Sequence, residues 1–112
     1  MAYDDALAAH LRDLVGTGPE VTEKRMFGGL AFLVGGHMAV AASGQGGLMV
    51  RCDPQETDAL LAESGARPFE MRGREMAGWL RVDADGSTPP DALRPWVERG
   101  VAYVRSLPPK AT

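Results

Sequence analysis

Apolar residues recur at spacings of three and four near both ends of the chain, which predicts an amphipathic helix in each place. The stripe of the first helix consists of Tyr3, Leu7, Leu11, Leu14 and Val15. The stripe of the last helix consists of Leu93, Trp96, Val97, Gly100, Val101, Val104 and Leu107. Thr88 is the predicted cap of the last helix and Pro89 its first residue. Trp96 lies at the centre of the longer stripe and is predicted to anchor the core.

Between these helices the pattern changes to short apolar runs and alternating positions, which are typical of β-strands. The predicted strands cover residues 23–34, 37–43, 48–52, 69–72 and 79–82. Gly28 and Gly29 interrupt the first strand and predict a bulge or a close backbone approach. Gly35-Gly36 between two apolar runs predicts a two-residue hairpin. A short middle helix is predicted from the cap at Asp53 to residue 65.

The order of these elements, α-β-β-β-α-β-β-α, predicts an α+β fold. Tight hairpins imply antiparallel pairs, and a helix with one apolar stripe must cover another element. We therefore expect a two-layer sandwich, in which the helices pack on one face of a five-stranded, largely antiparallel sheet. The length of 112 residues predicts a single domain over residues 1–112.

The second and third apolar runs place apolar residues on both faces of the sheet. The two-residue turn assigns Leu30, Phe32, Val34, His37, Ala39 and Ala41 to one face, and Ala31, Leu33, Met38, Val40 and Ala42 to the other. One layer of helices covers only one of these faces. The second face is either covered by another part of the chain or contacts a second copy or a protein partner.

Composition narrows the class of protein. Apolar residues make up 45% of the chain and charged residues 24%, as in ordinary globular domains. The net charge of −3 disfavours direct contact with nucleic acid. The acidic N-terminus has no secretory signal, and no apolar run is long enough to cross a membrane. These features predict a cytoplasmic protein.

The residues that commonly perform catalysis or bind metals are few. Cys52 is either a small buried residue or a nucleophile whose base comes from elsewhere in the fold. His10 and His37 are too few for a metal site without further ligands. The glycine-rich residues 44–47 lead into a strand and not into a helix, which favours a hairpin turn over a phosphate loop. We expect no catalytic residue, no cofactor and no metal.

Basic residues are concentrated in the second hairpin and in the first strand. Interleaved acidic residues favour solvated strand faces with cross-strand ion pairs. The alternative is a binding surface for an acidic partner or for nucleic acid. Together with the motif at residues 25–29, this predicts an interaction surface that consists of Arg25, Met26, Phe27, Arg72, Arg74 and Arg81.

The motif Arg25-Met26-Phe27-Gly28-Gly29, the turn Gly46-Gly47-Leu48 and the helix around Trp96 together resemble the N-terminal domain of the TfoX (Sxy) family of bacterial competence regulators. The resemblance covers residues 3–107 and implies the same α-β-β-β-α-β-β-α sandwich. Full-length members promote expression of DNA-uptake genes with a cyclic-AMP-responsive transcription activator, and they carry a second, helical domain. Because the chain ends at Thr112, the resemblance implies a stand-alone module.

These observations lead to three hypotheses about function. The first is a non-enzymatic regulatory or protein-interaction module, whose unknown partner belongs to the transcription machinery or is a second copy of the chain. The second is a small-ligand or nucleic-acid binder that uses the arginine-rich hairpin. The third is an enzyme.

Overall fold

The computed structural model describes residues 3–16, 18–26, 28–44, 46–62, 66–71 and 73–108. Its elements are α1 (Asp5–Val15), β1 (Val21–Met26), β2 (Gly29–Val34), β3 (His37–Ala42), β4 (Leu48–Arg51), a 3-10 turn (Pro54–Glu56), α2 (Thr57–Leu61), β5 (Ala66–Met71), β6 (Arg74–Val82) and α3 (Pro90–Arg105). The fold class is α+β, as predicted. None of the described helices is long and apolar enough to cross a membrane.

The described strands form one antiparallel sheet of six strands in the order β1-β2-β3-β4-β6-β5. The prediction of five strands was wrong, because residues 23–34 form two strands. Gly28 has a φ of +76° and reverses the chain, so that Met26 pairs with Gly29. The two glycines therefore belong to a hairpin and not to a bulge. The other predicted alternative, a close backbone approach, is confirmed at Gly29, where a Cβ would collide with the backbone oxygen of Ala42.

The hairpin between β2 and β3 has the predicted two-residue turn. Gly35 and Gly36 have φ values of +61° and +84°, which only glycine adopts readily at both positions. The predicted faces of His37 and Met38, shared with Val34 and Leu33, are confirmed, but the assignment from Val40 onwards was wrong, because the register shifts opposite Phe32 and Leu33 and leaves Ala39 as an extra residue. Val40 and Ala42 consequently lie on the same face as Phe32 and Leu30, and Ala41 lies on the opposite face with Ala31.

The main core lies between one face of the sheet and the three described helices. Phe32, Val40, Val50 and Leu80 line this face from four neighbouring strands and are almost fully buried. The helices contribute Leu7, Leu11, Leu60, Leu93, Trp96 and Val97 to the same cluster. Trp96 is 8% exposed, which confirms its predicted place in the core. We call this side of the sheet the inner face.

Local hydrogen bonds determine where the first and last helices begin. Asp4 caps α1 by accepting a hydrogen bond from the backbone N–H of Leu7 at 3.0 Å. The last helix begins one residue later than predicted, at Pro90, because the hydroxyl of Thr88 accepts from the N–H of Asp85 and belongs to the preceding turn. The middle helix is shorter than predicted and follows a 3-10 turn. Its predicted end at Gly65 lies outside the described residues.

Candidate functional site

The side of the sheet opposite the helices, which we call the outer face, is also largely apolar. Side chains alternate along a strand, so the residues between the core positions point away from the helices. The outer face of the four strands β1 to β4 includes Thr22, Lys24, Met26, Ala31, Leu33, Met38, Ala41, Met49 and Arg51. None of these residues belongs to the buried clusters that the described helices share with the sheet.

One row of side chains crosses the outer face through all six strands. Strand pairing places its members next to one another in the order Lys24, Ala31, Ala41, Met49, Arg81 and Arg67. The two alanines are 1% and 5% exposed, although no described helix packs over them. Larger neighbours such as Leu33 and Met38 stand beside them in the next row. The row is therefore a shallow apolar trough with a cation at one end and two at the other.

The cations of this row have different surroundings. Lys24 is exposed on β1, an edge strand of the sheet. Arg81 is half-buried and donates a hydrogen bond to the carbonyl oxygen of Gly46 at 2.8 Å. Arg67 forms an ion pair with Asp83, which follows the end of β6. None of the strand residues that form the row is acidic, so the row has a net positive charge in a chain of net charge −3.

A cluster of aromatic and basic side chains marks one end of β4 and β6. The guanidinium carbon of Arg51 lies 5.1 Å from the ring centre of Trp79 and 5.6 Å from that of Tyr103. Trp79 also contacts Phe69 of β5, with ring centres 6.4 Å apart. Such cation–π contacts hold the cation over the aromatic rings. They connect Tyr103 of α3 with Arg51 of β4 and Trp79 of β6, and they restrict the side-chain conformations of Arg51.

The predicted interaction surface does not form one patch. Arg25 is exposed, but it pairs with Leu30 and so lies on the side of β1 opposite to Lys24. Arg74 is exposed in the β5–β6 hairpin at the other edge of the sheet. Met26 and Arg81 lie on the outer face. Phe27 and Arg72 lie outside the described residues.

Sequence reasoning missed part of the row. Lys24 and Arg67 were recognised as basic but were left out of the predicted surface, and Met49 was not considered. The signal for Lys24 was present, because recognition of Gly28 as a turn residue, with Met26 opposite Gly29, would have set the alternation of side chains in β1. No local signal places Arg81 beside Met49, since that contact depends on the pairing of β4 with β6.

Cys52 is fully buried in the main core, as the first of its two interpretations predicted. Burial raises the pKa of its thiol, a hydrogen bond with the hydroxyl of Thr57 opposes that shift, and the nearby carboxylates of Glu56 and Asp53 add to it. The sulfur lies 3.8 Å from that hydroxyl. A thiol in this setting is poorly placed to act as a nucleophile, since the reactive form is the exposed thiolate.

The two histidines contact backbone oxygens in different parts of the structure. The Nε2 atom of His10 lies 3.2 Å from the oxygen of Gly86, and that of His37 lies 2.7 Å from the oxygen of Pro108. Among the described residues, no group of three or more histidine, cysteine, aspartate or glutamate side chains is placed to hold a metal ion.

A shallow cleft of about 400 Å³ lies beside the arginine end of the row. It is lined by Gly46, Gly47, Arg67, Arg81, Asp83, Ala84, Asp85 and Thr88. The glycines belong to the turn between β3 and β4, as the sequence predicted, and not to the N-terminus of a helix. Because aspartates line the cleft together with arginines, its charge is mixed and does not favour a simple anion.

A family model described as the TfoX N-terminal domain matches residues 13–103. The match includes all six described strands and most of α3. Comparison with curated proteins and with solved structures gave no match.

Proposed function

The chain belongs to the TfoX N-terminal domain family, and from that premise we propose that it is a regulatory module that binds another protein through the outer face of its sheet. The family match supports a regulatory, competence-like role at the level of the family. The proposal adds that binding and not catalysis is the activity of this domain, and that its partner belongs to the transcription machinery.

The observation that carries the proposal is the apolar outer face. Leu33, Met38 and Met49 are half-buried there, and no described helix covers them. Large contiguous apolar patches are uncommon on monomeric proteins and usually mark an interaction surface. The main core lies on the inner face of the sheet, and the apolar side chains of the outer face are not part of it. These side chains can therefore contact a partner.

Co-purification with mapped variants tests this proposal. We expect a partner to remain bound to the wild-type chain and to be lost when Leu33→Gln and Met38→Gln are combined. The matched control is Ala102→Gln, on the exposed side of α3. Circular dichroism checks that all three proteins are folded. Retention of the partner by the outer-face variant, or equal loss in the control, would show that this face is not the binding surface.

The alternative function, binding of a small ligand or nucleic acid by the arginine-rich hairpin, remains a hypothesis. Arg67 and Arg81 lie together beside the mixed-charge cleft, but Arg74 is at the far end of the hairpin. A titration with duplex DNA at increasing salt tests this hypothesis, because phosphate contacts make binding strongly dependent on salt. Binding that weakens steeply with salt would support it.

A further inference from the structure

We infer that a groove beside α2 binds a basic segment of another protein, which inserts one large apolar side chain next to two carboxylates. The groove has a volume of about 240 Å³ and lies between the β5–β6 hairpin and the segment that runs from the 3-10 turn into α2. We call it the α2 groove. The inference goes beyond the proposed function, which rests on Leu33, Met38 and Met49, because none of these three described residues lines this groove.

The walls of the α2 groove are mainly apolar. Met76 has 38% of its surface exposed, and no other large hydrophobic residue among those described is as exposed. Methionine and tryptophan are enriched at protein interfaces, and the flexible side chain of methionine adapts to different partners. The apolar lining consists of Pro54, Leu61, Pro68, Met76, Ala77 and Trp79.

Hydrogen bonds at Gly78 hold the two walls of the groove together. The N–H of Gly78 donates to the hydroxyl of Thr57 at 2.9 Å, and its carbonyl oxygen accepts from the N–H of Cys52 at 2.8 Å. A Cβ at Gly78 would lie only 3.2 Å from the Cγ of Pro54, so β6 passes close to the 3-10 turn. Because these contacts lie within the chain, the groove is already formed in the free protein.

The size of the α2 groove selects a single side chain as the occupant. Pockets for small molecules usually hold about 300–1,000 Å³, and this groove is smaller. Peptide and protein partners often bind through one large side chain that fills such a pocket. The occupant is therefore one anchoring residue of a longer segment and not a whole cofactor.

The charge beside the groove selects a basic segment. Asp58 and Glu75 line the groove, and both are exposed. No described basic side chain, including Arg51 over the ring of Trp79, forms an ion pair with either of them. Glu75 also lies directly opposite Glu70 of β5, and like charges at opposed positions destabilise a sheet. A lysine or arginine of a partner would offset this repulsion.

The same features argue against other occupants. Carboxylates beside the groove repel nucleic acid and acidic segments. Among the residues that the structure describes, no group of three or more histidine, cysteine, aspartate or glutamate side chains could hold a metal ion. A basic segment with one large apolar side chain satisfies both the apolar walls and the charge.

Selection from a library of random peptides displayed on phage tests this inference. The full chain is the target, and the enriched peptides are synthesised and titrated into isotope-labelled chain. We expect peptides in which one leucine, methionine or aromatic residue lies beside lysine or arginine. The indole N–H signal of Trp79 should shift on binding, because Trp79 lines the groove. That of Trp96, in the main core, should not.

Variants of the groove provide the second measurement. Asp58→Asn combined with Glu75→Gln should weaken binding of the enriched peptides by about fivefold or more, and higher salt should weaken binding to the wild type. The matched control combines Asp13→Asn with Glu98→Gln, which removes the same charge from exposed positions on α1 and α3. Circular dichroism checks that each variant is folded. An equal loss in the control, or no loss in the groove variant, would overturn the inference.

The apolar wall is tested separately. Met76→Gln should weaken peptide binding by about fivefold or more, whereas the combined Leu33→Gln and Met38→Gln variant of the outer face should bind as the wild type does. The opposite result would place the peptides on the outer face and so overturn the α2 groove while supporting the proposed function. Failure to enrich any peptide, or enrichment of peptides without a basic or a large apolar residue, would overturn the inference and leave the proposed function intact. Self-association of the chain that Met76→Gln abolishes would also overturn it, by naming a second copy as the occupant.

Discussion

The side chain of Thr57 connects the start of α2 to β6 by hydrogen bonds. Its hydroxyl accepts a hydrogen bond from the N–H of Gly78 at 2.9 Å and donates one to the oxygen of Pro54 at 3.0 Å. It is one of two buried polar residues among those described, and it lies beside the thiol of Cys52. These bonds attach the start of α2 to an irregular part of β6, where Gly78 has a φ of +90°.

Replacing Thr57 with valine, which has nearly the same shape, should therefore destabilise the fold. The change leaves the buried N–H of Gly78 without its acceptor, which costs about 1–3 kcal/mol in the free energy of unfolding. Urea denaturation measures this loss, and Thr57→Ser, which keeps the hydroxyl, should recover most of it. If valine and serine behaved alike, packing and not the hydrogen bond would explain the role of Thr57.

Trp96 has the largest side chain in the main core and comes from the middle of α3. Trp96→Ala should cost roughly 3–5 kcal/mol, because it removes buried apolar surface and leaves a cavity. This is a large part of a typical stability of about 5–15 kcal/mol. Thermal unfolding measures the effect, and Trp79, half-buried on the outer side, provides the comparison. A melting temperature within a degree or two of the wild type would contradict this role.

At the scale of elements, the hairpin between β1 and β2 depends on two glycines for different reasons. Gly28 is exposed and needs a positive φ, so Gly28→Ala should cost about 1 kcal/mol. Gly29 is buried and has no room for a side chain beside Ala42, so Gly29→Ala should cost about 1–3 kcal/mol or more. Urea denaturation of both variants shows which one loses more of the free energy of unfolding. A larger loss for Gly28→Ala than for Gly29→Ala would contradict this explanation.

The first helix is attached to the loop before α3 by one carboxylate. Asp4 accepts hydrogen bonds from the N–H of Leu7 at 3.0 Å and from the N–H of Gly86 at 2.8 Å. The bond from Leu7 contributes most and the bond from Gly86 next to holding the pKa of Asp4 below its ordinary value. A carboxyl group with a lowered pKa in the folded state stabilises the fold above its unfolded pKa and loses this effect as the pH falls through the folded value.

Asp4→Asn should therefore lower the melting temperature at neutral pH and have a smaller effect as the pH falls below about 4. Asparagine can still accept the capping bond, so the variant isolates the contribution of the charge. Asp5→Asn removes the same charge from the same turn and is the control. Melting curves between pH 7 and pH 3 measure both variants. If the melting temperature of Asp4→Asn stayed below that of the wild type by the same amount from pH 7 to pH 3, the explanation would be contradicted.

The elements that were predicted correctly are those whose signals are local. The apolar stripes of α1 and α3 and the turn at Gly35-Gly36 depend on residues close in sequence. The two errors in the sheet arose where one sequence pattern is compatible with two backbone conformations. The glycines at 28–29 fit a bulge and a turn equally well, and the extra residue at Ala39 has no glycine or proline to mark it. That single extra residue exchanged the faces of Val40 and Ala41.

At the scale of the whole molecule, the candidate site depends on strand order, which local patterns do not specify. The sequence indicated that both faces of the sheet are apolar, and the structure has an apolar outer face. The row from Lys24 to Arg81, however, exists only because β4 pairs with β6 and not with β5. Lys24 and Arg81, which are 57 positions apart in the chain, lie in one row across the outer face. Arg25, next to Lys24 in sequence, lies on the inner side of β1.

This arrangement predicts how the isolated protein associates with itself. At about 0.1 M salt, repulsion between cationic rows should keep the chain at its monomeric mass of 11.9 kDa at micromolar concentration. At about 1 M salt, screening should remove the repulsion, and the apolar centres should allow partial association. Sedimentation equilibrium at both salt concentrations measures the mass. The combined Leu33→Gln and Met38→Gln variant should remain monomeric throughout, because it lacks the apolar contact. A stable dimer at low salt that dissociates in this variant would instead identify a second copy of the chain as the natural occupant of the outer face.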